Sequence, residues 1–421
     1  MDKLSSVGNV IVGSEIIKIS QQIKEIAKTK AVQNLTIGDF NPEINPIPEA
    51  LRDGIIQAYQ DGLTSYPLSM GELSLRKSVS TYLQKRQGIT YTEDEILVGG
   101  GVRPLIYTIY KAIIDEGDVV TYPVPSWNNN HYSFLHHAVK DPIECKPENS
   151  FFPTVEDIQK SLVRSRLICL CSPQNPTGRT ISPEVLKEIC DAIVAENKRR
   201  IAASSKSKVC YLFFDQIYSD LSSEGTFVNP MVLCPEIKDY LICADGVSKS
   251  LCATGVRVGW IFGPKDVIGK MSEILSHIGA WAPKPEQAAV AKFLDNYDAM
   301  VDFVKGKTEI YSRIVQTICN KFQEMKDKGF RVDYQRSEGG IYISIYLDYV
   351  HSFGSTEEYI SFLINRCGLG IVPFEYFGSS QNKGWFRISI GNISIDNIDP
   401  VLKTIENAIV SSVTEVNSRI F

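Results

Sequence analysis

The 421-residue chain carries 44 basic and 49 acidic side chains, which gives a net charge of −5 and a pI of about 5.7. Nucleic-acid-binding proteins usually show a basic excess, so this balance argues against that class. The N-terminal segment contains Asp2, Lys3, Glu15 and Lys18 and has no continuous apolar core, and no apolar run long enough to span a membrane follows it. We therefore expect a cytoplasmic protein without a signal peptide or membrane span.

The first predicted element is an amphipathic helix over 14–29, with Ser14 as the expected cap. A proline-rich loop follows, and then a helical pattern over 47–87 that the turn SYPLSMG interrupts. Short apolar strands and helices alternate after that. The strands are predicted at 96–99, 118–122, 167–171, 209–214 and 240–244, and the helices at 103–115, 156–163 and 183–199. This alternation predicts an α/β fold with a mainly parallel sheet covered on both faces.

The last part of the chain has a different character. After a helical region from 265 to about 326, broken near Gly279–Pro285, the segments FRVDY, GGIYISIYLD and WFRISIG alternate apolar and polar residues. Such alternation is typical of half-buried strands, and helices are predicted at 356–366 and 397–411. We expect residues 1–46 to form an N-terminal arm and part of a small domain, 47–305 a large domain, and 306–421 the rest of a smaller α+β domain.

The ten cysteines are scattered and form no CxxC pair, so we predict reduced thiols that pack as small apolar groups. His136 and His137 are adjacent and cannot share one helix face as metal ligands. We predict no metal site.

Lys249 stands in a loop of small residues within ADGVSKSLCATGVRVGW, directly after an apolar strand, and Arg257 follows eight residues later. A surface lysine is the simpler interpretation. The functional one is a lysine in a ligand crevice, because such crevices form at the carboxyl ends of parallel strands.

Two further strand ends carry polar side chains. Asp215 ends the apolar strand of FFDQIYSDL, where it either caps a helix or faces a cofactor cation, and a helical turn would bring Tyr218 to the same side. Asn175 lies in SPQNPTG, a string rich in proline that predicts a rigid loop.

The run GGGVRP at 99–104 leads from a strand into a helix, so its backbone N–H groups favour anion binding. It contains neither a Walker sequence nor GxGxxG. Arg387 lies inside the apolar strand of GWFRISIG, where a guanidinium needs a partner. That partner is either a structural carboxylate or the carboxylate of a substrate.

Together these segments resemble the class I/II aminotransferases, which are fold-type I enzymes dependent on pyridoxal 5′-phosphate (PLP). The resemblance rests on SPQNPTG, DQIY, and SK followed by Arg257 and GW, with TSYPLSMGELSLR and PSW in the same order as in the family. It covers nearly the whole chain. It implies a large domain with a mainly parallel sheet and a smaller α+β domain.

The resemblance also implies roles for individual residues. Lys249 holds PLP as a Schiff base and moves the substrate proton, Asp215 pairs with the ring nitrogen, and Tyr218 and Asn175 bond the phenolic oxygen. The other implied PLP contacts are Trp127 on the ring, and Gly101, Val102, Arg103, Ser248, Arg257 and the partner subunit's Tyr66 at the phosphate. Arg387, Asn175 and Gly38 are the implied substrate-binding residues.

These residue types suit the chemistry, because a protonated ring nitrogen stabilises negative charge at the substrate α-carbon and a carboxylate keeps that nitrogen protonated. An amine released when substrate binds can act as a general base. The family resemblance therefore implies an aminotransferase for L-amino acids and 2-oxo acids, and a homodimer, since Tyr66 acts across subunits. A PLP-dependent lyase, synthase or oxidase is the alternative, since one cofactor cradle serves several outcomes.

This chain departs from the family pattern at Phe374 and Glu375 in VPFEYFG, at Asn130 in WNNNHY, and at Gln216 in DQIY. These changes leave the cofactor roles intact and concern the substrate pocket. Arg103 is a candidate contact for a second substrate carboxylate, which favours a donor such as aspartate with 2-oxoglutarate as acceptor. The simpler interpretation is that Arg103 braces the helix start or pairs at the surface.

Overall fold

The order of helices and strands follows the predicted alternation. A computed structural model of the protein describes residues 3–11, 13, 15–204, 208–223 and 225–420, so the cap predicted at Ser14 lies outside the described residues. The helices are α1 (Ser6–Val10), α2 (Glu15–Ile26), α3 (Glu49–Gln60), α4 (Leu73–Gln87), α5 (Val102–Ile113), α6 (Asn129–Leu135), α7 (Val155–Leu162), α8 (Pro183–Ala203), α9 (Pro230–Leu233), α10 (Val247–Ser250), α11 (Lys265–Ile278), α12 (Lys284–Asp295), α13 (Tyr297–Asp327), α14 (Thr356–Phe362) and α15 (Ile398–Ile420). The strands are β1 (Gln33–Asn34), β2 (Ile96–Gly99), β3 (Val119–Val124), β4 (Val139–Glu144), β5 (Ser165–Cys171), β6 (Tyr211–Asp215), β7 (Leu241–Gly246), β8 (Gly259–Phe262), β9 (Val332–Gln335), β10 (Tyr342–Leu347), β11 (Leu369–Gly370), β12 (Val372–Pro373) and β13 (Trp385–Ser389).

The larger sheet has seven strands in the order β2-β8-β7-β6-β5-β3-β4. The strands from β4 to β7 pair in parallel, and β8 runs antiparallel to both of its neighbours. Helices cover both faces, because Ile168 and Leu170 of β5 pack in one hydrophobic cluster while Leu167 and Cys169 pack in another. The predicted α/β fold with a mainly parallel sheet is confirmed.

Two strands of this sheet are absent from the prediction. Strand β4 lies at the sheet edge, where its Pro142 is tolerated because an edge strand needs fewer ladder hydrogen bonds. Strand β8 has the sequence GWIF and pairs antiparallel with β2 and β7, so its pairing partners and not its own residue pattern define it.

A second sheet, in the antiparallel order β12-β13-β10-β9, lies in the C-terminal part of the chain. Its apolar face packs against α13, α14 and α15 in a cluster that also contains Ile19 and Ile23 of α2. The helix predicted at 356–366 is α14 followed by a wider helical turn over 363–367, and α15 extends well beyond the predicted end at 411.

Helix α13 joins the two hydrophobic clusters. Its residues Met300 and Val304 pack with the larger sheet, whereas its buried residues from Tyr311 to Met325 pack with the smaller one. The division at 305/306 stays a prediction, and this change of packing partner along one helix supports it.

The ten cysteines all lie in the described residues as free thiols, and eight of them are buried. This agrees with their predicted role as apolar core residues. Within the described ranges no helix combines the length and apolarity needed to cross a membrane.

Candidate functional site

A cavity of about 740 Å³ lies where β5, β6 and β7 end and α5 begins. Such a position is typical of ligand sites in α/β proteins, since strand ends and helix N-termini converge there. Segment 37–39 and residues of the smaller sheet form the opposite side, and α2 contributes residues such as Ile17 and Lys24. The cavity therefore lies between the two sheets.

Lys249 lies on α10, a single helical turn after β7, and not in the predicted loop. Its Nζ donates to the carbonyl oxygen of Gly38 at 2.6 Å and lies 5.7 and 5.9 Å from the ring centroids of Phe40 and Tyr218. Within the described residues it forms no salt bridge, and it lines the cavity beside Ser248. A partly buried primary amine without a carboxylate partner is available for covalent chemistry.

Asp215 is the last residue of β6, and the position of its side chain is consistent with both interpretations of the sequence, a backbone cap and a carboxylate that faces a ligand cation. Its Oδ1 accepts a hydrogen bond from the N–H of Ile217 at 3.1 Å, as in a turn cap, and the same side chain lines the cavity. Burial raises the pKa of Asp215 to about 6, against the opposing effects of the Ile217 N–H and the positive charge of Lys249. A cation in the cavity would stabilise its charged form.

Tyr218 follows Asp215 through a turn and not through the predicted helical turn, yet both side chains line the cavity. Its hydroxyl lies 2.9 Å from the hydroxyl of Tyr342. Burial, with a smaller effect of Tyr342, raises the pKa of Tyr218 well above its usual range, so the phenol stays protonated and can donate.

Arg387 is only 2% exposed and is held by four groups. Its Nη1 donates to Oδ1 of Asn175 at 2.9 Å, and its Nη2 donates to the carbonyl oxygen of Thr36. The rings of Tyr342 and Phe377 lie 4.5 and 4.9 Å from the guanidinium carbon.

No carboxylate contacts Arg387 in the described part of the chain, and its Nε has no partner there. Burial lowers the pKa of Arg387. The predicted structural ion pair is therefore not what holds this strand arginine, and a buried cation that lines a cavity without a counter-charge favours an anionic ligand.

The start of α5 offers a second position for an anion. Gly101 is the N-cap and no side chain caps the helix, while Val102 and Arg103 line the cavity. Arg257, in the left-handed conformation with φ of 59°, donates to the carbonyl oxygens of Thr254 and Gly100. A Cβ at Gly101, whose φ is 86°, would lie 2.2 Å from Nη2 of Arg257, so this turn requires glycine.

Trp127 lines the same end of the cavity, and the guanidinium carbon of Arg103 lies 4.4 Å from the centroid of its ring. Arg103 has no carboxylate partner among the described residues. It is therefore not the surface ion pair of the simpler interpretation, and it stacks on an aromatic wall within reach of a ligand.

Gly38 lies close to two of these groups. Its carbonyl oxygen receives the bond from Lys249, and a Cβ on Gly38 would lie 2.1 Å from the hydroxyl oxygen of Tyr342. Only glycine fits here.

Tyr66 lies apart from the cavity of its own chain. It is 86% exposed, and its ring packs edge-on against Trp281 with centroids 5.7 Å apart. A role at the site therefore requires a second subunit.

The four departures from the family pattern lie outside the cavity wall, contrary to the expectation that they alter the substrate pocket. Gln216 bonds Asp245 and Asn229 in a buried network, Phe374 packs against Phe151, and Glu375 accepts from Thr356. Near Asn130, it is Asn129 and Tyr132 that line the cavity.

Sequence reasoning missed Tyr342, Thr36 and Phe40. Thr36 acts through its backbone carbonyl, which no side-chain pattern reveals. Tyr342 stands in an alternating strand where any aromatic residue suits the core, so its hydroxyl contact gave no signal.

The profile of the family described as aminotransferase class I and II matches residues 30–405. The chain is 26% identical over 399 residues to the aspartate aminotransferase of Bacillus sp. (strain YM-2), covering 93% of this chain and 95% of that protein. It is 27% identical over 383 residues to a probable aspartate/prephenate aminotransferase of Aquifex aeolicus, covering 89% and 91%.

A crystal structure of the aspartate aminotransferase from Rhizobium meliloti superposes with a TM-score of 0.86 at 25% identity, covering 97% of this chain and 99% of that one. An alanine aminotransferase from Pyrococcus furiosus gives a TM-score of 0.85 at 22% identity, which shows the fold alone. With the family profile matched over most of its length, this chain belongs to the class I and II aminotransferases and is a fold-type I, PLP-dependent aminotransferase.

Proposed function

We propose that the protein moves the amino group of a dicarboxylic L-amino acid such as aspartate to a 2-oxo acid such as 2-oxoglutarate, with Lys249 as the residue that binds PLP covalently. The observation that carries this proposal is a cavity that brings the amine of Lys249 together with Asp215 and the guanidinium of Arg387, which has no carboxylate partner among the described residues. PLP, when bound, supplies an electron-withdrawing ring that stabilises negative charge at the substrate α-carbon.

The cavity residues fit PLP in chemistry and position. Asp215 would pair with the ring nitrogen, because a pyridinium cation lowers the pKa that burial has raised. Tyr218 and the amide of Asn175 would bond the phenolic oxygen, and Trp127 would stack on the ring.

The phosphate would lie at the start of α5, where helix N–H groups and cations favour an anion. We propose that it is bound by backbone N–H groups of Gly101, Val102 and Arg103, by Ser248 and by Arg257. The uncapped helix and the close contact of Arg257 with Gly101 support this position.

Lys249 would take and return the proton at the substrate α-carbon, because a free primary amine in this cavity can act as a general base. In the cofactor-free chain, the bond from Nζ to the Gly38 carbonyl oxygen keeps the amine in the cavity.

Arg387 would bind the substrate α-carboxylate, with Asn175 and Gly38 beside it. Its Nε has no partner in the described ranges, and the bond from Nη1 to Asn175 is one that a carboxylate can share or replace. Two aromatic rings hold the guanidinium plane, so its direction is set before the ligand arrives.

The charge of the cavity supports a donor with two carboxylates. Its wall contains five cationic side chains and two carboxylates. The cations are Lys24, Arg103, Lys249, Arg257 and Arg387, and the carboxylates are Asp39 and Asp215. Arg103 is the proposed contact for the second substrate carboxylate, and similarity to aspartate aminotransferases is consistent with that choice.

We also propose a homodimer in which Tyr66 reaches the phosphate site of the partner subunit. The exposure of Tyr66, with Leu68 at 55% and Leu73 at 41%, supports a covered surface in the assembled protein. The cytoplasmic location stays a prediction from the sequence.

The test of this function compares aspartate, alanine, phenylalanine and lysine as donors with 2-oxoglutarate as acceptor. We expect kcat/KM for aspartate to exceed that for alanine by about 100-fold, since an unpaired cation disfavours the apolar donor. Arg103→Met should lower kcat/KM for aspartate by about 10- to 100-fold and leave alanine within about threefold. Lys111→Met, which removes an exposed cation from the last turn of the same helix, is the matched control.

A preference for phenylalanine or alanine in the wild-type protein would reject the dicarboxylic donor. Release of ammonia and a 2-oxo acid from the donor alone, without stoichiometric amino transfer to the acceptor, would reject this reaction in favour of a lyase or oxidase.

A further inference from the structure

Tyr342 contacts three groups of the candidate site, and the proposed function uses only one of these contacts, that of its ring with Arg387. It begins β10, is 2% exposed and lines the cavity. Its hydroxyl lies 2.9 Å from that of Tyr218, its ring lies 4.5 Å from the guanidinium carbon of Arg387, and its hydroxyl oxygen lies against the backbone of Gly38.

The direction of the bond between the two tyrosines follows from proton counting. A hydroxyl has one proton to donate and can also accept. If Tyr218 donates its proton to the phenolic oxygen of the cofactor, the bond between the tyrosines must use the proton of Tyr342. Tyr342 is then the donor and Tyr218 the acceptor.

The bond from Tyr342 to Tyr218 strengthens the bond from Tyr218 to the phenolic oxygen, because a phenol that accepts a hydrogen bond becomes a stronger donor. The T-shaped packing of the two rings, with centroids 5.5 Å apart and planes at 72°, holds the hydroxyls in this relation. Both residues are buried, so water competes little for the bond.

We propose that Tyr342 is a positioning residue with two separable functions: its hydroxyl polarises Tyr218 toward the cofactor, and its ring supports Arg387. The inference rests on the proposed function, since it assigns Tyr218 to the phenolic oxygen and Arg387 to the substrate carboxylate. It makes Tyr342 the link between cofactor tuning and carboxylate binding.

The two functions can be separated by two substitutions in the PLP-bound protein. Tyr342→Phe removes the hydroxyl and keeps the ring, whereas Tyr342→Leu removes both. A stronger hydrogen bond to the phenolic oxygen lowers the proton affinity of the imine nitrogen, so losing it raises the pH midpoint at which the bound cofactor's absorption spectrum changes. We expect a rise of roughly 0.5 to 1 pH unit in both variants.

The Michaelis constant for the best amino donor should separate the two variants. Tyr342→Phe should keep KM within about threefold, because the guanidinium retains both aromatic neighbours. Tyr342→Leu should raise KM by about tenfold or more, because the guanidinium of Arg387 loses one of its two aromatic neighbours and retains the ring of Phe377.

Tyr346→Phe is the matched control. It makes the same chemical change four residues along β10, where the hydroxyl bonds Asp348 outside the cavity wall. We expect neither the spectral midpoint nor KM to change in this variant.

A double-mutant cycle tests whether Tyr342 acts through Tyr218. Tyr218→Phe alone should raise the spectral midpoint, and adding Tyr342→Phe to it should change the midpoint no further. Equal, additive shifts in the two backgrounds, or a wild-type midpoint in Tyr342→Phe, would overturn the proposed relay.

Folding does not obscure the outcome, because Tyr342→Phe removes a single oxygen atom, and circular dichroism compared with the wild type and Tyr346→Phe shows whether the variant is folded. A wild-type protein that fails to bind PLP or to transfer amino groups would reject the proposed function itself. An active wild-type protein with an unchanged Tyr342→Phe variant would reject only this inference.

Discussion

The two sides of the cavity hold their charges in different ways. We call Asp215, Tyr218 and Lys249, which lie at or after strand ends of the large sheet, the sheet wall. The opposite wall consists of Gly38, Tyr342 and Arg387. Among the described residues of the sheet wall, Lys249 has one hydrogen bond, to a carbonyl oxygen, with two aromatic rings at 5.7 and 5.9 Å, and Asp215 accepts one backbone N–H. In the opposite wall, Arg387 has two hydrogen bonds and two aromatic rings.

In the proposed function, this difference separates the groups that carry out the chemistry from the group that recognises the substrate. The groups proposed to gain and lose protons or bonds have few hydrogen-bond partners among the described residues, and burial raises the pKa of Asp215 to about 6. The group that orients a ligand is fixed from several directions before binding. Substitutions in one wall at a time test this difference.

Removal of the amine from the sheet wall should have the largest effect. Lys249→Ala should lower amino transfer by about 10⁵-fold or more, because the variant loses the covalent link to PLP and the general base together. Borohydride treatment followed by mass spectrometry should show no cofactor fixed to the variant protein. Lys265→Ala, an exposed lysine paired with Asp94, is the control, and normal turnover by the Lys249 variant would contradict the assignment.

A change in the opposite wall should affect binding more than chemistry. Arg387→Lys should raise KM for the amino donor by about 100-fold, since an ammonium group cannot form the bidentate contact and reaches fewer of the four partners. The value of kcat should fall much less. Arg419→Lys, where the guanidinium stacks on Phe353 far from the cavity wall, serves as control, and an unchanged KM would remove Arg387 from the carboxylate site.

Asp215→Asn tests whether the buried carboxylate of Asp215 lowers the stability of the cofactor-free protein. The folded-state pKa of Asp215 is raised, to about 6, so the cofactor-free protein loses stability as the pH rises from about 4 through 6 and the buried carboxyl ionises. Asparagine does not ionise and can still accept from Ile217. Above pH 7 we expect the cofactor-free variant to be about 2 to 3 kcal/mol more stable than the wild type.

Urea unfolding of both cofactor-free proteins at pH 4 and pH 8 checks this sign. The free energy of unfolding of the variant should exceed that of the wild type at pH 8 and equal it at pH 4. The same substitution should weaken PLP-dependent activity. A variant that is less stable than the wild type at pH 8 would show that burial of the Asp215 carboxylate does not destabilise the fold.

The smallest effect is expected outside both walls. Tyr66→Phe should weaken PLP binding by about tenfold, through loss of one hydrogen bond to the phosphate across the subunit interface. Because Tyr66 is exposed in the single chain, the stability of the protomer should not change. Equilibrium dialysis measures the affinity, and sedimentation shows whether the active species is a dimer; an active monomer with wild-type affinity would contradict a role across subunits.

The same two walls show how far the sequence predicts this protein. The sheet wall follows from strand ends, because an apolar run that stops at Asp215 and another that stops before Lys249 place both residues at one edge of a parallel sheet. The local error, a loop in place of the helical turn α10, arises because four residues are too few for a periodic pattern.

The opposite wall is predictable only in part. The sequence indicates Arg387 and Gly38, but the contact of Arg387 with Thr36 joins residues 351 positions apart through a backbone oxygen. The bond between Tyr218 and Tyr342 spans 124 positions and depends on the packing of two sheets. Strands β4 and β8 escape prediction for a related reason, since their pairing partners and not their own residues define them.

Helix α13 packs in both hydrophobic cores, so we expect the two sheets to unfold together. At 31 residues it is about 46 Å long, and its N-terminal turns lie in one core while the remainder lies in the other. Melting of either core would remove packing from the same continuous rod. Calorimetry of the intact chain should therefore record one cooperative heat-absorption peak, not two.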